Sequence, residues 1–139
     1  MKAVHGVQPT AAAGMSVSFT VWGPPVGKQR PRVTKNGTYT PRESRRYEGA
    51  VKLQARLALH AFNPSWGAEG KWPKDARYSL SVIVCWGDNR RRDIDNVLKS
   101  AADGCNKILY NDDAQVRRME VMRVFEGEPR TEVTVEVLP

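Results

Sequence analysis

The nine residues Tyr78 to Trp86, YSLSVIVCW, restrict the fold more than any other stretch of the chain. Tyr78, Leu80, Val82, Val84 and Trp86 recur every second residue, the period of a β-strand with one face against a core. Ile83 and Cys85 place apolar groups on the opposite side too, so both faces are expected to be covered near the strand's end. Such a strand needs neighbours, and three segments can supply them. Ser16–Trp22 alternates with Val17, Phe19 and Val21 on one face. Val116–Phe125 and Thr131–Leu138 read as two more strands joined by Glu126-Gly-Glu-Pro-Arg130, and Val133, Val135 and Val137 mark the buried face of the last.

The remaining patterned segments have a helical period. Thr40-Pro-Arg-Glu43 has the form of a capping box with proline at the first helical position, and the helix is expected to run to about Phe62. Tyr47, Ala50, Val51, Gln54, Leu57, Ala58 and Ala61 form its apolar stripe. A second helix is expected from Ile94 to about Leu109, with Val97, Leu98, Ala101, Cys105 and Ile108 on its stripe. Between the first strand and the first helix, GPPVGKQRPR reads as a loop, and RVTKNGTYT as a small basic hairpin at residues 32 to 40, turning at Asn36-Gly37. Residues 63 to 77, rich in Pro, Gly and Trp, read as a surface excursion. The order β, hairpin, α, β, α, β, β predicts one α/β (α+β) domain over residues 15–139, a mixed sheet with two packed helices. Residues 1–14 read as a disordered leader, with Met15 a possible alternative start.

Charge is unevenly spread. The 139 residues carry a net charge of +7. From Lys28 to Arg56 nine basic residues face two acidic ones, the footprint of a nucleic-acid binder or simply of a cationic surface. Cys85 and Cys105 are the two cysteines, with no CxxC spacing, and read as buried free thiols of a reducing cytoplasm. No zinc site is expected, and no apolar run reaches membrane-spanning length. Trp22, Trp66, Trp72 and Trp86 could stack on bases, but read first as core or interface residues.

The densest chemistry lies in GDNRRRDIDNVLKS, residues 87 to 100, where Arg90, Arg91 and Arg92 run into Asp93-Ile-Asp95. Asp93 sits where an N-cap belongs. That accounts for one carboxylate and leaves Asp95. Two carboxylates about 4 Å apart repel by roughly 1 kcal/mol in water, and a divalent cation would turn that repulsion into binding. Carboxylates without His or Cys suit a hard ion such as magnesium. Lys99, four residues beyond Asp95, shares its helix face, and Asp103 is a possible partner for that lysine. Asp112-Asp113 reads either as a turn or as a further acidic element. A straight helix to Leu109 would hold that pair about 24 Å away. Only a shorter or bent helix, a chain that doubles back, or a partner subunit would bring it to Asp95.

These residues resemble the signature of the RusA-type Holliday junction resolvases: a basic run, Asp93-x-Asp95-Asn, Lys99, and Asp112-Asp113-x-Gln-Val116. KQRPR and YTPRESRRYE support the likeness, which extends from about Ser16 to Leu138. The resemblance implies a homodimeric endonuclease that makes paired cuts in four-way DNA junctions with Mg2+ or Mn2+. It implies that Asp93, Asp95 and Asp113 bind the metal, with Asp112 the alternative third ligand, and that Lys99 is catalytic. Lys28, Arg30, Arg32, Arg90, Arg91 and Arg92 would contact DNA. The competing expectations are a non-catalytic DNA-binding module and a less selective nuclease for flaps or forks.

Overall fold

A computed structural model describes residues 13–39, 41–62 and 71–139. The leader up to residue 12, Thr40, and residues 63–70 with Trp66 lie outside the described residues. Four strands form the main sheet: β1 (Ser16–Trp22), β4 (Tyr78–Cys85), β5 (Val116–Arg123) and β6 (Arg130–Val137). Their order is β1-β6-β4-β5. β6 runs antiparallel to both β1 and β4, while β5 lies parallel to β4. The sheet is therefore mixed, as the element order predicted. β2 (Arg32–Thr34) and β3 (Gly37–Tyr39) pair with each other as a separate hairpin. The helices are α1 (Arg42–Ala61) and α2 (Ile94–Cys105).

One face of the sheet makes the core. Val17 and Val21 of β1, Leu80, Val82 and Val84 of β4, and Val133, Val135 and Val137 of β6 pack in one cluster with Tyr47, Val51 and Ala55 of α1 and Val97, Ala101 and Cys105 of α2. The alternate positions pair polar residues across the outer face, Ser79 with Glu136 and Ser81 with Thr134. Among the described residues, cover on the outer side is limited to the end of β4. There Cys85 is fully buried and its Sγ lies 3.6 and 3.7 Å from the Glu126 and Gly127 carbonyls, while Ile83 is only half-buried.

Five local expectations need correction. Helix α1 starts one residue later than expected: Pro41 is the N-cap, its carbonyl takes the Arg45 N–H at 3.1 Å, and no side chain caps the end. Its buried stripe is Ser44, Tyr47, Val51 and Ala55, whereas Leu57 is 54% exposed and Ala61 is exposed. The β2–β3 hairpin turns at Lys35-Asn36, one residue early, because Gly37 alone takes a positive φ (+117°) and the Thr34 hydroxyl accepts from Asn36 N–H. The end of the excursion after α1 is pinned: Trp72 is buried, its indole donates to the Leu109 carbonyl at 2.7 Å, and its ring stacks on Tyr78.

The fifth correction bears on function. Helix α2 ends at Cys105, four residues short of the expected end. Apolar residues continue the pattern through Leu109, but they are buried in a turn. The Ile108 and Leu109 amides both return to the Cys105 carbonyl, and Lys107 takes φ +68°. Tyr110 then lies back along the helix, its hydroxyl donating to the Ala102 carbonyl at 2.7 Å. The chain thus reverses where a straight helix would have carried it away.

Candidate active site

The strand-to-helix junction after β4 is built by hydrogen bonds that the sequence order dictates. Asp93 is the N-cap of α2: its Oδ1 accepts the Asp95 N–H at 2.9 Å, and its Oδ2 accepts from Asn96 Nδ2 at 3.0 Å. A cap of this kind contributes about 1 kcal/mol. The loop after β1 is seated against the same turn, the Lys28 amide donating to the Asn96 carbonyl at 2.9 Å. Gly27 is required at that contact, because a Cβ there would stand 2.9 Å from the Asn96 Cβ.

Three cavities meet at this junction and share residues. The first, about 400 Å³, is cationic, with Lys28, Arg30 and Arg92 beside Asp93 and Asn96 on its wall. The second, about 520 Å³, lies between Arg91, Arg92, Asp93 and Asp95. The third, about 330 Å³, follows the exposed face of α2 and is lined by Asp95, Lys99, Asp103 and Asp113, with Leu98, Ala102 and Met119 as its apolar part. Asp95, Lys99 and Asp113 therefore border one space within a single chain. The reversal after Cys105 makes this possible, one of the routes left open by the sequence.

Asp113 opens a single 3-10 turn, Asp113–Gln115, capped by Asp112. The Gln115 side chain ties this turn down: Oε1 accepts the Asn111 and Asp112 amides, each at 2.9 Å, and Nε2 donates to the Lys74 and Ala76 carbonyls. The hydrogen bond between the two carboxyl groups holds Asp112 below the ordinary carboxylate range and pushes Asp113 above it. Of the pair, Asp113 alone borders the cavity with Asp95.

Not every basic residue faces outward. Lys28 Nζ lies 2.6 Å from Glu48 and 2.7 Å from Asp103. Burial works against its charge, but the hydrogen bonds to Asp103 and Glu48 outweigh it, and its pKa is raised. Asp103 thus serves Lys28 and not Lys99. Arg30, Arg32, Arg90 and Arg91 are exposed. Arg92 is bonded to Asp88, its Nη2 at 2.7 Å from Asp88 Oδ2, and that bond holds Asp88 below the usual carboxylate range. Sequence reasoning passed over Asp88 and Arg123, which acts with it, because nothing in a linear pattern joins a turn to a residue 35 positions on.

The donor chemistry fits a hard divalent ion, since Asp93, Asp95 and Asp113 offer oxygen and neither nitrogen nor sulfur. Among the described residues, no three acidic, His or Cys side chains converge as a finished cage. Asp93 and Asp95 border one space and Asp95 and Asp113 the next.

Carboxylates set beside guanidinium groups can hold a hard cation next to a phosphate. The family described as endodeoxyribonuclease RusA matches residues 23–136, and the chain belongs to that family. The resemblance drawn from the Asp-x-Asp-Asn and Asp-Asp-x-Gln-Val elements is borne out, and with it the nuclease class. The chain is also similar to the uncharacterised protein YqaN of Bacillus subtilis (strain 168), 25% identical in an alignment 135 residues long that takes in 86% of this chain and 94% of the relative. No described helix is long and apolar enough to cross a membrane.

Proposed function

We propose that the protein is a Holliday junction resolvase that hydrolyses phosphodiester bonds by paired, symmetric cuts in four-way DNA, using Mg2+ with Mn2+ as a substitute. The observation that carries this reading is the meeting of a cationic cavity and a carboxylate-lined one at the N-terminus of α2. Family membership supports it.

Asp93, Asp95 and Asp113 would hold the metal. The chemistry a divalent ion would supply there is Lewis acidity toward a water and the phosphate. Lys99, on the wall of the Asp95 cavity, offsets the negative charge that develops on the phosphoryl oxygens or assists proton transfer. Arg30, Arg32, Arg90, Arg91 and Arg92 bind the DNA backbone and set its register. Lys28 joins them from the wall of the cationic cavity, held there by Glu48 and Asp103. A homodimer presents two such sites to a junction whose own symmetry is close to two-fold, so both strands are cut. The protein acts on DNA in the cytoplasm.

Two conservative variants test the site. Asp95→Asn and Asp93→Asn each remove a carboxylate, and asparagine caps a helix about as well as aspartate. Both variants should keep the parental melting temperature and bind a synthetic four-way junction. Both should lose Mg2+-dependent cleavage by at least about a hundredfold, the scale of removing one group that meets transition-state charge. Cutting by Asp95→Asn at the parental rate would remove that residue from the site. A parent that binds junctions but never cuts them is a binding module. Equal cutting of flap, fork and junction at the same salt would make it a less selective branched-DNA nuclease.

A further inference from the structure

The loop from β4 to α2 and the end of β5 hold a cluster of which the proposed chemistry uses Arg92 alone. Trp86 is buried, and its indole N–H donates to the Pro25 carbonyl at 2.8 Å. Two guanidinium groups lie against its ring: Arg92 at 5.2 Å from the ring centre and Arg123 at 5.0 Å. Arg123 also lies over Phe125 at 4.4 Å. Asp88 ties the two cations together. Its Oδ2 takes Arg92 at 2.7 Å, its Oδ1 lies 3.5 Å from Arg123, and its main-chain carbonyl accepts from Arg123 at 3.1 Å.

The two arginines are not equivalent. The Arg123 side chain is only 13% exposed, and its Nε–H is buried without a partner among the described residues. Placing a cation there is unfavourable for stability. Arg92 keeps 32% of its side chain exposed and forms part of the cationic cavity beside Asp93. A free arginine on a loop samples many rotamers, and a phosphate must fix one of them before it is bound. Asp88 on one side and the shared Trp86 ring on the other remove that freedom beforehand.

We propose that Asp88 and Arg123 are positioning residues that hold the Arg92 guanidinium across Trp86, so that it receives a phosphate of the strand running to Asp93 and Asp95. This rests on the reading of Arg92 as a DNA contact. Neither Asp88 nor Arg123 touches DNA, and both act through Arg92.

The sign of one substitution separates positioning from plain electrostatics. Asp88→Asn raises the net charge by one, so the protein's field alone would tighten DNA binding. Loss of positioning weakens it. Affinity for a synthetic four-way junction is measured with the full chain in EDTA, so that cleavage plays no part. Arg92→Ala and Asp88→Asn should each weaken binding by about tenfold, and the double variant should be no weaker than Arg92→Ala alone, since neighbours in one network are not additive. Asp88→Glu should recover most of the loss. Arg123→Lys, which keeps the charge and loses the planar fork, should behave as Asp88→Asn does and provides the test if that variant fails to fold.

Parental or tighter binding by Asp88→Asn overturns the proposal, as does a loss that adds in full to that of Arg92→Ala. Parental binding by Arg92→Ala overturns it together with the DNA-contact reading. A parent that binds but does not cut defeats the nuclease reading alone, because every arm here is read by affinity.

Discussion

Gly104 shows how much one hydrogen can decide. It lies on the buried side of α2, and a Cβ there would meet Val51 Cγ1 at 2.4 Å and Val51 Cβ at 2.6 Å. The glycine lets α1 and α2 approach closely, and it is the reason Val51 is fully buried. Gly104→Ala gains up to about 1 kcal/mol of helix propensity. It also overpacks a β-branched neighbour, at about 1 to 3 kcal/mol. The expected outcome is a net loss of roughly 1 to 2 kcal/mol, read by urea denaturation. Sequence inspection sees the glycine inside a helical pattern but not the valine more than fifty positions earlier. The same holds for Tyr47, whose hydroxyl is bonded to Thr131 inside the core. Helical spacing marks the tyrosine as buried, and only packing names its partner.

Among the elements, α2 decides whether a site exists. Its apolar period continues past Cys105, so periodicity alone extends the helix to Leu109. The reversal depends on Lys107, which occupies the left-handed region at φ +68° and donates its amide to the Tyr110 carbonyl at 2.8 Å. Left-handed backbone is costly for a branched side chain and free for glycine. Lys107→Val should therefore lose about 1 to 2 kcal/mol. Lys107→Gly should stay near the parent or exceed it, although it gives up the ammonium bond to the Asn111 carbonyl. Paired thermal melts distinguish the two outcomes, and a valine variant as stable as the parent would contradict this account of the turn. The other elements were legible because their signals are local. Alternation identified β1, β4 and β6, the Glu126–Arg130 turn set off β5 beside β6, and Asp93 stands at the N-cap position that its spacing predicted. The start of α1 was missed by one residue because proline serves at the N-cap as well as just inside it.

At the scale of the whole molecule, the core sets the alkaline limit of stability. Burial pushes the Cys105 thiol from 9.0 up to about 12 and the Tyr47 hydroxyl from 10.0 up to about 12. Burial also raises Tyr110, with charge from neighbouring groups adding to it. Each group binds its proton more tightly folded than unfolded, so its stabilisation is complete below the ordinary value and is lost as pH rises through the folded one. Lys28 has the same sign, its ion pairs being lost on deprotonation. Melting temperature should hold level to about pH 9 and fall steadily above it. Cys105→Ala should flatten the first part of that fall. A melting temperature unchanged up to pH 11 would contradict the burial of these groups.

The sequence by itself determined the strands, the two helices, the hairpin, the basic front half and the acidic elements, because each is written in periods or motifs a few residues long. It also identified the family. Which residues meet was decided only by the tertiary structure. Lys28 finds Asp103 across 75 positions, Arg123 finds Asp88 across 35, and Asp113 comes to border the space beside Asp95. Contacts between residues far apart in the chain depend on where helices stop and how closely they pack. Those are set by the summed fit of the core, which no single segment encodes.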